Sequence, residues 1–257
     1  NILFDKSTKD TEIVKVEDGR VTFCGEAEML CRANVFLRTA ERILLKVGSF
    51  KAMTFEELFE KIKALPWESY IPSDGKFWVA KASSVKSKLF SPSDIQSIVK
   101  KAIVERLKTI YHVEWFSETG AEYPIRISFM KDEACVCLDT TGLSLHKRGY
   151  RTMVSKAPIK ETLAAALILL TPWKKDRIFV DPFCGSGTFL IEAAMIAANI
   201  APGMNRSFTA EKWTNIIPRK YWYQAIDEAN DLVEDQIETD IQGYDIDGEI
   251  VKAARQN

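Results

Sequence analysis

The chain has 257 residues, 46% of them apolar, and 35 Lys and Arg against 36 Asp and Glu give a formal net charge of −1. That is enough length and apolar material for two domains and a sizeable core. No apolar run approaches the roughly 18 residues of a membrane helix, and no basic region followed by an apolar core opens the chain, so a cytoplasmic protein without a membrane partner is expected. Five cysteines, Cys24, Cys31, Cys135, Cys137 and Cys184, lack metal-site spacing, and with only two histidines no metal site is expected.

The near-neutral total conceals a polarised chain. Through residue 160 there are 26 Lys and Arg against 21 Asp and Glu, and the remainder has 9 against 15. The N-terminal part is therefore expected to face an anionic partner.

In chain order, Ile13, Val14, Val16, Val21 and Phe23 alternate around the turn Glu17-Asp18-Gly19, which predicts short strands. A helix follows from Ala27. Ile43, Leu44, Leu45, Val47 and Phe50 predict a strand, and Thr54-Phe55-Glu56-Glu57 opens a helix with capping potential at Thr54 and Glu57. That helix carries Leu58, Phe59, Ile62 and Leu65 to Pro66. Trp78, Val79 and Ala80 predict a strand, and Ser91-Pro92-Ser93-Asp94 starts a helix through Ile95, Ile98, Val99, Ile103, Val104 and Leu107. Two strands, Ile125 to Lys131 and Glu133 to Asp139, join by a tight turn. Together these predict an α+β unit of antiparallel character.

Between Lys76 and Lys108 the residues Lys76, Lys81, Lys86, Lys88, Lys100, Lys101, Arg106 and Lys108 face only Asp94 and Glu105. Such a surface would bind nucleic-acid phosphates with strong salt dependence; a solvated helix face with spare lysines is the alternative. Leu145 to Arg151 then packs Lys147, Arg148 and Arg151 into one linker, as a backbone contact or simply as solvated charge. His146, within it, is given no catalytic role.

The most informative stretch is Asp181-Pro182-Phe183-Cys184-Gly185-Ser186-Gly187-Thr188. Ile178, Phe179 and Val180 read as a buried parallel strand, Gly185 and Gly187 as a turn whose backbone can approach a ligand, and Phe189 to Ala198 as an apolar helix packed on a sheet. The dinucleotide fingerprint G-x-G-x-x-G is not met, because Leu190 stands at its third position. The strand-end Asp181 would repel a pyrophosphate and attract an ammonium group, which points to S-adenosylmethionine. The alternative is a doubly wound protein in which the glycines serve only the turn.

A second acid-ended strand reads at Gly243-Tyr244-Asp245-Ile246-Asp247. Asp245 is the candidate for ribose hydroxyls, and Asp247 for capping the helix of Ile250, Val251, Ala253 and Ala254. The interval from Asp181 is about three times the usual ~20 residues. A large insertion, Pro202 to Asp240, is therefore expected, bearing Trp213, Pro218, Tyr221, Trp222 and Tyr223 and then an acidic amphipathic segment from Asp227 to Asp240.

Asp181 to Ala197, Ala157 to Leu167 and Leu145 to Arg151 together resemble the THUMP-containing class I RNA methyltransferases, most closely the bacterial relatives of the enzyme that methylates guanine N2 in large-subunit ribosomal RNA. The resemblance spans most of the chain. It implies a ferredoxin-like part over 1–45, a THUMP RNA-binding domain over 46–155 and a Rossmann-like α/β methyltransferase domain from 156 to 257. By resemblance, the segment from Ala157 walls the pocket for S-adenosylmethionine, Asp181, Phe183, Gly185, Gly187 and Thr188 line its methionine side, and Asp245 holds the ribose. Lys81, Lys86, Lys88, Lys100, Lys101 and Arg148 are the expected RNA contacts.

Family members orient the target amine with an (Asn/Asp)-Pro-Pro-(Tyr/Phe) loop, which these 257 residues do not contain. The expectation is thus a methyltransferase domain incomplete within this stretch, with no catalytic residue assigned in it. A methyltransferase acting on transfer RNA and a noncatalytic RNA-binding module are the competing readings.

Overall fold

The computed structural model describes residues 12–17, 19–151 and 158–257. Ala157 and the first eleven residues of the expected ferredoxin-like part lie outside the described residues. The chain divides into two compact units: Asn1–Ile43, Leu143–Phe208 and Arg219–Asn257 form one, and Leu44–Gly142 with Thr209–Pro218 form the other.

The first unit begins with an antiparallel hairpin, β1 (Glu12–Glu17) and β2 (Arg20–Cys24), followed by α1 (Ala27–Phe36).

The second unit contains β3 (Leu44–Lys51), α2 (Phe55–Lys63), β4 (Lys76–Val85), α3 (Pro92–Tyr111), β5 (Glu122–Met130) and β6 (Glu133–Asp139). Its sheet runs in the order β3-β6-β5-β4. β3–β6 and β5–β6 are antiparallel, but β4 and β5 pair in parallel, so the antiparallel expectation holds for only part of the sheet. The reason is topological: α3 carries the chain back across the sheet, so β5 starts at the same end as β4. The β5–β6 turn places Lys131 at φ 52° and Asp132 at φ 64°, the left-handed geometry that a tight hairpin needs.

The expected capping residues do their work. Thr54 Oγ1 accepts from the Glu57 N–H, while Glu57 Oε2 accepts from the Met53 N–H. Pro92 occupies the first turn of α3, whose cap Ser91 accepts from the Asp94 N–H. Leu58, Ile62, Trp67, Ile95, Val99, Ile103, Leu107, Ile125 and Ile127 form the core of this unit. The segment 209–218 joins it: Trp213 is buried, stacks on Tyr123 at 5.1 Å and donates to the Glu122 carbonyl.

The rest of the first unit contains α4 (Glu161–Leu170), β7 (Phe179–Asp181), α5 (Thr188–Ala197), α6 (Arg219–Asp231), β8 (Ile241–Gly243) and α7 (Gly248–Gln256). β7 and β8 are parallel, with Asp181 opposite Gly243. The insertion's helix starts earlier than its acidic residues suggested and ends at Asp231, since Trp222, Ala225 and Ala229 supply its buried stripe. It packs on α1, where Arg32 pairs with Glu228 at 2.9 Å. Gly203 approaches the end of α1 so closely that a Cβ there would stand 2.6 Å from the Val35 Cα.

Candidate cofactor site

The parallel register puts the two strand-end acids on adjacent chains. The Tyr244 N–H donates to the Asp181 carbonyl at 2.9 Å, and the Cys184 N–H donates to the Tyr244 carbonyl at 2.8 Å. The carboxylates then organise the turns after their strands: Asp181 Oδ1 accepts from Phe183, and Asp245 Oδ2 accepts from Gly185 at 3.0 Å. Asp245 Oδ1 also accepts from the Asp247 N–H. The backbone N–H groups of Asp247 and Gly185 hold the Asp245 carboxyl below the usual carboxylate range. Asp247 caps α7 as its place in the sequence suggests, accepting from Glu249 and Ile250.

Glycine is required at two places in this knot. Gly187 starts α5 at φ 82°, and a Cβ there would also press on the Ala254 Cβ at 3.1 Å. Gly243 admits the bulky Leu190, whose Cδ1 lies 2.2 Å from where a Cβ would be. Leu190 thus fills space beside the second strand, at the position where the dinucleotide fingerprint would have its third glycine.

A cavity of about 220 Å³ opens beside the turn, lined by Pro158, Ile159, Phe183, Cys184, Gly185, Ser186, Thr188 and Phe189. Of the expected cofactor residues, Phe183, Gly185 and Thr188 line it; Asp181, Gly187 and Asp245 are not in its lining, although the two carboxylates hold the turn through the Phe183 and Gly185 N–H groups. Phe183 is 85% exposed. Sequence reasoning does not assign Pro158, Ile159, Ser186 and Phe189 to the site, although Pro158 and Ile159 fall in the stretch expected to wall it. Burial pushes the Cys184 thiol up, with Asp181 and Asp245 adding to the effect.

The unit also holds buried charge on α5, at Glu192. Arg148, expected on the RNA face, is only 3% exposed. Its guanidinium pairs with Glu192 of α5 at 3.3 Å and donates to the carbonyls of Leu145 and Arg38. That corrects the expectation: the acid on α5 draws this cation inward. Tyr150 donates to the same Glu192, and burial lowers the Arg38 guanidinium to a pKa of about 10. His146 is held by Glu41 at 2.8 Å, a structural contact.

In the other unit, Lys81, Lys86, Lys88 and Lys101 are exposed. Lys81 lies in β4, Lys86 and Lys88 in the turn after it, and Lys101 on α3, which packs on β4. Lys100 differs. Its ammonium sits 3.7 Å from the Phe77 ring centroid and donates to the Phe77 carbonyl, so burial lowers its pKa. Lys76 pairs with Glu122 and Arg106 with Glu68. Among the described residues, no cluster suited to a metal and no helix long and apolar enough to cross a membrane is present.

A parallel strand pair, a glycine turn at a helix N-terminus and paired strand-end acids are the arrangement of a Rossmann-like α/β domain at a strand-to-helix turn. Residues 148–257 match the "RMKL-like, methyltransferase domain" family, residues 52–139 the THUMP domain and residues 9–44 the RlmL ferredoxin-like domain. The chain thus carries matches to a THUMP domain and to an RMKL-like methyltransferase domain. It is 54% identical to "Putative RNA methyltransferase YpsC" of Bacillus subtilis (strain 168) across 95% of its own length and 63% of that protein's. It is 32% identical to "Ribosomal RNA large subunit methyltransferase K/L" of Cellvibrio japonicus (strain Ueda107), across 92% of this chain and 33% of that one. The crystal structure of "SMU.472, a putative methyltransferase complexed with SAH" superposes with a TM-score of 0.88 at 50% identity, over 94% of this chain and 64% of that chain. The chain therefore spans less than two thirds of these relatives.

Proposed function

We propose that the protein takes part in S-adenosylmethionine-dependent methylation of RNA, at the exocyclic N2 amine of a guanine in large-subunit ribosomal RNA. The observation that carries this reading is the glycine turn at the start of α5, knit between the strand-end acids Asp181 and Asp245 beside the 220 Å³ cavity. The residues fit the cofactor's charges. Carboxylates flank the turn where a dinucleotide would need room for phosphates, and Asp181 suits an ammonium and Asp245 a ribose diol.

When bound, the cofactor supplies a methyl group already activated on a sulfonium centre, so the protein needs mainly to orient it. Gly185 and Gly187 let the backbone close on the ligand, the N-terminus of α5 favours its carboxylate, and Pro158 and Ile159 exclude water from one side. Lys81, Lys86, Lys88 and Lys101 contact RNA phosphates. Lys100, drawn onto Phe77, contributes less, and Arg148 serves structure instead. The functional division follows the expected 1–45, 46–155 and 156–257, with RNA held by the middle part and a cytoplasmic location suited to that substrate.

The test is methylation by the intact protein of unmodified large-subunit ribosomal RNA and of transfer RNA, using isotopically labelled cofactor, followed by nucleoside analysis. The expected product is N2-methylguanosine in ribosomal RNA. Label in transfer RNA alone or on another base would overturn the substrate, and absence of transfer would favour a noncatalytic RNA-binding module.

A further inference from the structure

We propose that Arg151 is a positioning residue that fixes the spacing between the two walls of the cofactor cavity; this rests on the cofactor reading above. Its Nη2 donates to the Thr188 hydroxyl at 2.7 Å and to the Ile159 carbonyl at 3.3 Å. Thr188 and Ile159 both line the cavity and belong to separate segments, one at the start of α5 and the other just before α4. The same nitrogen lies 3.3 Å from Glu161, the first residue of α4, and the two side chains are 13% and 5% exposed.

One planar cation thus ties together three points, two of them in the cavity lining. The Glu161 carboxylate compensates its charge, so Arg151 is not a loose cation awaiting a ligand carboxylate. Its contribution is geometric. Thr188 is 4% exposed, and without Arg151 its hydroxyl would lose this partner, as the carbonyl of Ile159 would. The segment carrying Ile159 would then be free to move away from the glycine turn. Lysine would keep the charge opposite Glu161, but its shorter side chain does not carry an N–H donor out to the place Nη2 holds between Thr188 and Ile159.

The experiment measures S-adenosylhomocysteine affinity by calorimetry for the intact protein and for Arg151→Met, Arg151→Lys, Thr188→Val and the Arg151→Met/Thr188→Val double variant, with the ligand-free thermal midpoint of each. Arg151→Met and Arg151→Lys should each weaken binding about tenfold, and the double variant should bind about as weakly as Arg151→Met alone, as expected within one hydrogen-bond network. A purely structural arginine would lower the ligand-free midpoint and leave affinity unchanged. If Arg151→Met fails to fold, Arg151→Lys decides: wild-type affinity in that variant overturns the proposal. Losses that multiply in the double variant overturn it as well. No binding by the unmodified protein would overturn the cofactor reading and this inference with it, whereas normal binding by the protein and its Arg151 variants overturns this inference alone.

Discussion

At Asp245 the carboxylate is held by the N–H groups of Asp247 and Gly185, and its ionised form is favoured in the folded state. The folded pKa is lowered from 3.8, so this stabilisation is present above pH 3.8 and is lost as the pH falls through the lower folded value. In Asp245→Asn the dependence of stability on pH in that acidic window should therefore be shallower by urea titration; an unchanged slope would mean that the two N–H bonds do not favour the charge. The buried Arg148–Glu192 pair gives a different signature, with side chains 1% and 0% exposed. Burial pushes the Glu192 carboxyl up and Arg148 opposes the shift. Arg148→Leu removes the cation paired with that buried acid and should cost about 3–5 kcal/mol in denaturant unfolding, while Arg148→Leu/Glu192→Leu should recover most of the loss. Equal losses in both variants would show that the acid's burial is not what matters. The sequence announced Arg148 only as one of three cations in a linker. Its role depends on Glu192, 44 positions away, and no local pattern discloses such a pairing.

Elements whose signals are local match the sequence closely. Thr54 and Glu57 cap α2, Ser91 and Pro92 begin α3, and Asp247 caps α7, because each needs only neighbours along the chain. Thr54→Ala should lower stability by about 1 kcal/mol in thermal or chemical unfolding, and no change would show that Glu57 alone secures that helix start. The parallel pairing of β4 with β5 was not legible, since apolar alternation sets which face is buried but not the direction of the neighbouring strand. Nor was the place of Trp213, in an insertion between motifs yet seated on Tyr123 within the other compact unit. The order of strand, turn and helix was legible because the three are consecutive, but the strand is not buried as expected: Ile178 is 56% and Val180 48% exposed, with β8 the one strand paired to β7 among the described residues. Gly187→Ala should destabilise by about 1–2 kcal/mol from the left-handed backbone alone, with a further loss from crowding against Ala254. Stability equal to that of the parent protein would mean that this residue adopts another backbone conformation.

For the molecule as a whole, the excess of positive charge through residue 160 and of negative charge beyond it is what the proposed RNA binding by the THUMP-containing part and the proposed recognition of a cationic cofactor end by the acid-flanked turn require. Replacing Lys86 and Lys88 by Glu should weaken RNA binding at low salt and lower the slope of log affinity against log salt by about 0.7–0.9 for each phosphate that is no longer neutralised. An unaltered slope would remove these lysines from the RNA-facing surface. The central claim is that the knot of Asp181, Gly185, Gly187 and Asp245 is built for S-adenosylmethionine, and calorimetry with that ligand on the intact protein and on Asp245→Ala tests it most directly. The account predicts clear binding by the former and at least about tenfold weaker binding by the latter; equal affinity in the two proteins, or none in either, would contradict it.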